Sequence, residues 1–147
     1  MPYVITFLLY VFTVTASPSV YGVTQDPQAV TYYNLAYTDR GADVILAHEQ
    51  LAGVTFSELK PGDLIQVGYP DGMRLYQVTE LQRYTATDPH SVYSYFKRDG
   101  LSFSSVELVD LLYIPDRLLL QTCYDNSRGR LFVIAKPIIA NDARSFK

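Results

Sequence analysis

The sequence predicts a mainly β chain that closes, or nearly closes, into a barrel, with short helices in its connections. Thirteen tyrosines and seven phenylalanines, with frequent Val, Leu, Ile and Thr, favour strands over helices. Short apolar runs are separated by regular turn signals, the pattern of an all-β domain. The chain of 147 residues is long enough for one domain with a real core, and 48% hydrophobic residues argue against disorder. The net charge is −3 with no block of Lys or Arg, which leaves a nucleic-acid role without support. One cysteine rules out an internal disulfide and a multi-cysteine zinc site.

Taken in order, Met1–Val14 is almost wholly apolar, and Val14-Thr15-Ala16 before Ser17 has the small-residue pattern of a signal cleavage site. The run lacks an early positive charge and falls short of the roughly 20 residues of a membrane span. Residues 1–22 are therefore read as a signal or anchor, or as a pair of buried strands, ahead of a domain over 23–147. Ser17–Pro27 reads as a linker or loop and Ala29–Tyr33 as a short strand. Asn34–Ala42 is polar, with a turn at Asp39-Arg40-Gly41. Asp43–His48 is a buried strand.

Thr55-Phe56-Ser57-Glu58 has a capping-box pattern, so a helical turn is expected to begin there and to stop at Pro61-Gly62-Asp63. Leu64–Tyr69 and Met73–Tyr84 form a hairpin about Pro70-Asp71-Gly72, with Leu75, Gln77 and Thr79 alternating against Tyr76, Val78 and Glu80. Thr85–Asp110 reads as a long surface connection, with a short helix near Ser104–Leu112. Ile114-Pro115-Asp116 turns the chain into a last hairpin, Leu118–Val133, around Asp-Asn-Ser-Arg-Gly.

That hairpin holds the candidate chemistry. Cys123 sits at a strand end, after Thr122 and before polar residues, where a nucleophile is reachable. A lone cysteine is otherwise a small buried hydrophobe. Arg130 opens the second strand nearby, and a guanidinium stabilises a thiolate. It also holds a carbonyl or a developing oxyanion, but never acts as a base. Arg128, two residues earlier, competes for this role but belongs to the turn. His48, at the end of Val44-Ile45-Leu46-Ala47, is the acid–base candidate. His90, in Thr87-Asp88-Pro89-His90-Ser91, reads as solvated.

These segments resemble those of the sortases, whose signature is T-L-x-T-C followed, after a loop, by an arginine and an apolar strand. Here it stands as Leu119-Leu120-Gln121-Thr122-Cys123, then Arg130-Leu131-Phe132-Val133. Val44–His48 resembles the sortase strand that ends in histidine. Phe56-Ser57-Glu58-Leu59, Gly62-Asp63-Leu64-Ile65-Gln66-Val67 and Tyr76-Gln77-Val78 resemble the segments that follow it. The order holds from about Asp26 to Pro137. Ala47 stands where the family usually has glycine, and Leu119 replaces the first threonine. No counterpart of an Ile-Pro-x-Ile first strand is evident.

The resemblance implies a sortase-like closed β-barrel of about eight strands and a cysteine transpeptidase acting at the bacterial cell surface. Cys123 would attack the Thr–Gly carbonyl of a Leu-Pro-x-Thr-Gly-like sorting signal and form a thioester. His48 would exchange the protons, Arg130 would hold the substrate, and Thr122 would contact it. The acceptor would be an amine of a cell-wall precursor or a pilin subunit. No cofactor is implied. Calcium, used by some relatives, has no readable ligand spacing among Glu49, Glu58, Asp63 and Glu80. A sortase-like barrel that binds peptides or assembles at the surface without catalysis is the competing reading.

Overall fold

The computed structural model describes residues 1–33, 41–91 and 93–138. Among these are ten strands: β1 Val4–Phe7, β2 Tyr10–Ser17, β3 Ala29–Tyr33, β4 Asp43–Leu46, β5 Leu64–Tyr69, β6 Gly72–Ala86, β7 Tyr95–Arg98, β8 Leu101–Ser104, β9 Leu118–Tyr124 and β10 Gly129–Pro137. Two helices, α1 Gly53–Phe56 and α2 Ser105–Leu112, lie in the connections. The strands run in the order β10-β9-β4-β3-β2-β1-β5-β6, and β6 pairs back onto β10. Eight strands thus close the expected barrel. The β2–β3 and β4–β9 pairs are parallel and the others antiparallel.

The apolar N-terminal run forms β1 and β2. Ile5 and Phe7 point into the barrel, where Phe7 meets Phe12 and Phe56 at ring separations of 5.8 and 6.0 Å. The run hides a turn. Phe7 pairs with Tyr10 across Leu8-Leu9, with Leu8 at φ 53°. A two-residue hairpin turn favours Asn-Gly or Asp-Gly, so Leu-Leu gives no turn signal. No described helix is long and apolar enough to cross a membrane.

Side chains alternate between two apolar layers. Leu118, Leu120, Leu131 and Val133 fill the barrel, while Val44, Leu46, Leu119 and Phe132 form an outer layer with Leu108 and Leu112 of α2. In β6 the expected alternation holds through Val78. A bulge opposite Ile134/Ala135 then shifts the register, and Tyr84 faces the outer layer, edge-on to Phe132 at 5.6 Å.

Two expectations need correction. The first helical turn begins at Gly53, ahead of the Thr55 pattern; Thr55 lies inside it, and its Oγ1 donates back to the Ala52 carbonyl at 2.7 Å instead of capping. The 85–110 connection contains the hairpin β7–β8, whose strands are largely exposed and so lack a buried apolar face to betray them. The helix after it is confirmed. Ser104 and Glu107 complete a reciprocal capping box at its start. The expected turn at Asp39-Arg40 lies outside the described residues.

Because Ile5 is fully buried in the barrel, Ile5→Ala should cost about 2–5 kcal/mol. Denaturant unfolding measures it. A loss below about 0.5 kcal/mol would mean that β1 is not part of the folded core.

Candidate active site

Cys123 of β9 pairs directly with Arg130 of β10. On its other side β9 runs parallel to β4, with Leu46 against Gln121. The Ala47 N–H continues this ladder by donating to the Gln121 carbonyl at 3.2 Å. Counting two residues on from that pair sets His48 beside Cys123. His48 and Leu46 share a parity, as do Cys123 and Leu119, and Arg130 and Phe132. All three candidates therefore project from the outer face. They form one row across three adjacent strands, about 10 Å wide.

The row lies in a cavity of about 1010 Å³ outside the barrel wall. Its apolar sides come from Leu46, Phe96, Val106, Val109 and Phe132, and its polar rim includes Gln25, Glu49 and Ser127. His90, expected to be solvated, is exposed at this rim. Arg128 is exposed in the β9–β10 turn and does not line the cavity.

Each side chain is held. His48 Nε2 lies 3.1 Å from both the Val23 carbonyl and Gln25 Nε2. Protonated, it donates to Val23; unprotonated, it accepts from Gln25, so this anchor suits either ring state. The His48 carbonyl accepts from the N–H groups of Leu51 and Gly53 at 3.1 and 3.0 Å. Arg130 Nη1 donates to the Ser127 carbonyl and, at 3.1 Å, to that of Gly129, while Nη2 donates to Pro89 at 3.0 Å. Its guanidinium also lies 5.6 Å from the Phe96 ring centre. Two of its five N–H groups remain for a ligand.

Thr122 is only 4% exposed, and its hydroxyl donates to the Ala47 carbonyl at 2.8 Å. It ties the cysteine strand to the histidine strand. The two departures from the sortase pattern are both buried, Ala47 in the barrel interior and Leu119 in the outer layer.

Half-burial of Cys123 outweighs its neighbours and pushes the thiol above its ordinary value. Arg130 and a hydrogen bond with Ser127 pull it down, and the Glu49 carboxylate pushes it up. The expected guanidinium effect is present but does not prevail. The acids weighed for calcium are dispersed. Glu58 accepts from Tyr10, Asp63 from the Lys60 N–H, Glu80 from Arg98 and Gln82, and Glu49 from Ser127. Among the described residues no three such groups could share a metal ion.

No family model matches the sequence, and no curated protein matches it. Solved structures do. Sortase C2 of pilus island 1 of group B Streptococcus superposes with a TM-score of 0.63 at 16% identity, over 92% of this chain and 73% of that one. A pilus-related sortase C of group B Streptococcus gives 0.61 at 18%, over 94% and 67%. Sortase C-1 from Streptococcus pneumoniae gives 0.61 at 20%, over 92% and 66%. The chain has the sortase fold.

Within this sortase fold, sequence reasoning missed the support around the row. Val23 and Gln25 lie in a segment read as linker, yet they anchor His48. Glu49 and Ser127 carried no motif. Gly53 also matters: an added Cβ would lie 2.5 Å from the His48 carbonyl oxygen and closer still to Thr122 Oγ1. Gly53→Ala should therefore shift the end of β4. A stability loss of about 1–3 kcal/mol and slower labelling of Cys123 are expected. Wild-type values of both would show that the helix is free to move aside. In wild-type protein, Cys123 alkylation should still be accelerating at about pH 9. A plateau below pH 8 would contradict the dominance of burial.

Proposed function

We propose that this chain is a sortase-type cysteine transpeptidase acting outside the cytoplasm, at the bacterial cell surface. The observation that carries the reading is the single row of His48, Cys123 and Arg130 opening into one cavity. A peptide laid in this cavity places apolar side chains against Phe96, Val106 and Val109, which suits the Leu-Pro portion of a sorting signal. Cys123 passes its proton to His48 and its sulfur bonds to the Thr–Gly carbonyl carbon. The C–N bond breaks, His48 returns the proton to the leaving amine, and a thioester remains. An acceptor amine then bonds to that carbon, the C–S bond breaks, and the amine's proton returns through His48 to the thiolate.

The two free N–H groups of Arg130 supply donors for the carbonyl as negative charge develops on it. Thr122, whose hydroxyl is occupied by Ala47, serves this scheme by fixing the wall between the cysteine and histidine strands. The donor is a Leu-Pro-x-Thr-Gly-like signal, and the acceptor an amine of a cell-wall precursor or pilin subunit.

A second reading, a peptide-binding barrel without catalysis, draws on the commitment of Arg130 to three backbone carbonyls. Mass spectrometry after incubation with a sorting-signal peptide library separates the two. The transpeptidase reading expects an acyl adduct on Cys123 that moves to an added amine. Bound peptide without an adduct would support the binding barrel. Arg130→Lys should lower turnover by about 10²–10³ with the fold intact, because a point charge cannot replace a planar fork. Near-wild-type turnover in Arg130→Lys and Arg130→Ala would remove Arg130 from the mechanism.

A further inference from the structure

Three groups of the site converge on one residue that the proposed chemistry does not use. Ser127 presents its N–H and hydroxyl to the Glu49 carboxylate at 3.3 and 3.5 Å. Its hydroxyl also interacts with Cys123, and its carbonyl receives Arg130 Nη1. Ser127 sits in an expensive backbone conformation. Asp125, Asn126 and Ser127 have φ of 53°, 53° and 70° in succession. Asn and Asp tolerate that region, whereas serine has no such advantage. A turn of three such residues keeps its shape only if contacts outside it hold it. Glu49 supplies one from the far side of the row, immediately after His48.

We propose that Glu49 and Ser127 form a positioning pair that clamps the β9–β10 turn to the end of β4 and so aims Arg130 across Cys123. The pair rests on the catalytic reading for its purpose but not for its geometry. Without the Glu49 contact, the turn relaxes and the Ser127 carbonyl moves. Arg130 then loses a fixed acceptor, and Cys123 loses both the serine hydroxyl and a well-placed guanidinium. Glu49 has two separable effects on the sulfur. Its charge disfavours the thiolate directly, while its clamp favours the thiolate through Ser127 and Arg130. The other charged or titratable groups at the two cavities are His48, His90, Tyr21, Tyr33 and Tyr113 in the large one, and Arg83 and Tyr124 in the smaller one beside it.

Glu49→Gln and Glu49→Ala separate the effects, because glutamine keeps an acceptor for the Ser127 N–H and alanine keeps none. The readout that needs no transpeptidation is the pH dependence of Cys123 alkylation by iodoacetamide. Glu49→Gln should move the midpoint below wild type, since only the charge is lost. Glu49→Ala should lie clearly above Glu49→Gln, since the clamp is lost as well. Where turnover is measured, Glu49→Ala should lose about tenfold in kcat with little change in KM, and Glu49→Gln should lose less. Ser127→Ala should raise the alkylation midpoint above wild type. Coincident midpoints for Glu49→Gln and Glu49→Ala, with both variants folded, would overturn the clamp and leave Glu49 as a nearby charge. The expected order of midpoints in a protein that forms no acyl adduct would uphold the clamp while refuting the transpeptidase reading.

Discussion

The parallel pairing of β4 with β9 is the constraint on which the site depends. Asp43 opposite Leu118 starts a ladder that reaches Leu46 opposite Gln121, and the Ala47 N–H and the Thr122 hydroxyl extend it at the open end. A slip of one residue would turn every β4 side chain to the opposite face. His48 would then point toward the barrel interior, and Val44 and Leu46 would leave the layer they share with α2. The same apolar pattern that stabilises the wall thus fixes the partner of Cys123. Pairing of β10 with both β9 and β6 holds Arg130 from the other side.

The site balances burial against charge. Sheltering the sulfur beneath the cavity rim raises the cost of ionising it, and a single guanidinium does not cancel that cost. On the transpeptidase reading proposed above, the thiol passes its proton to the adjacent imidazole when substrate is present. The arginine has a structural task as well. It braces two loops, through Pro89 ahead of β7 and Ser127 in the β9–β10 turn, which brings both to the cavity edge. On that reading, substrate recognition and loop position are linked through one side chain.

Much of this was legible in the residues. Leu118–Leu120 and Leu131–Ala135 are continuous apolar runs because both faces of β9 and β10 are buried, one by the barrel and one by the outer layer. The site residues stand where those runs give way to polar residues. Other parts left no mark. Leu8-Leu9 carries no turn chemistry, and β7–β8 buries too little to show alternation. Glu49 and Ser127 meet only because two distant loops are brought together across 78 positions. Cys123 shows a limit of a different kind. Its arginine neighbour was readable from the hairpin, but the depth of its burial was not, and burial decides its ionisation.

The register between β4 and β9 can be tested without substrate. In a His48→Cys variant, the new thiol should lie beside Cys123, with Cα atoms about 5 Å apart, within the range a disulfide spans. Mild oxidation of the folded protein should then link the two thiols rapidly, while a Leu46→Cys control, two residues earlier and opposite Gln121, should link far more slowly. A folded His48→Cys protein that resists oxidation, or a control that links equally fast, would contradict the placement of histidine and cysteine on one row.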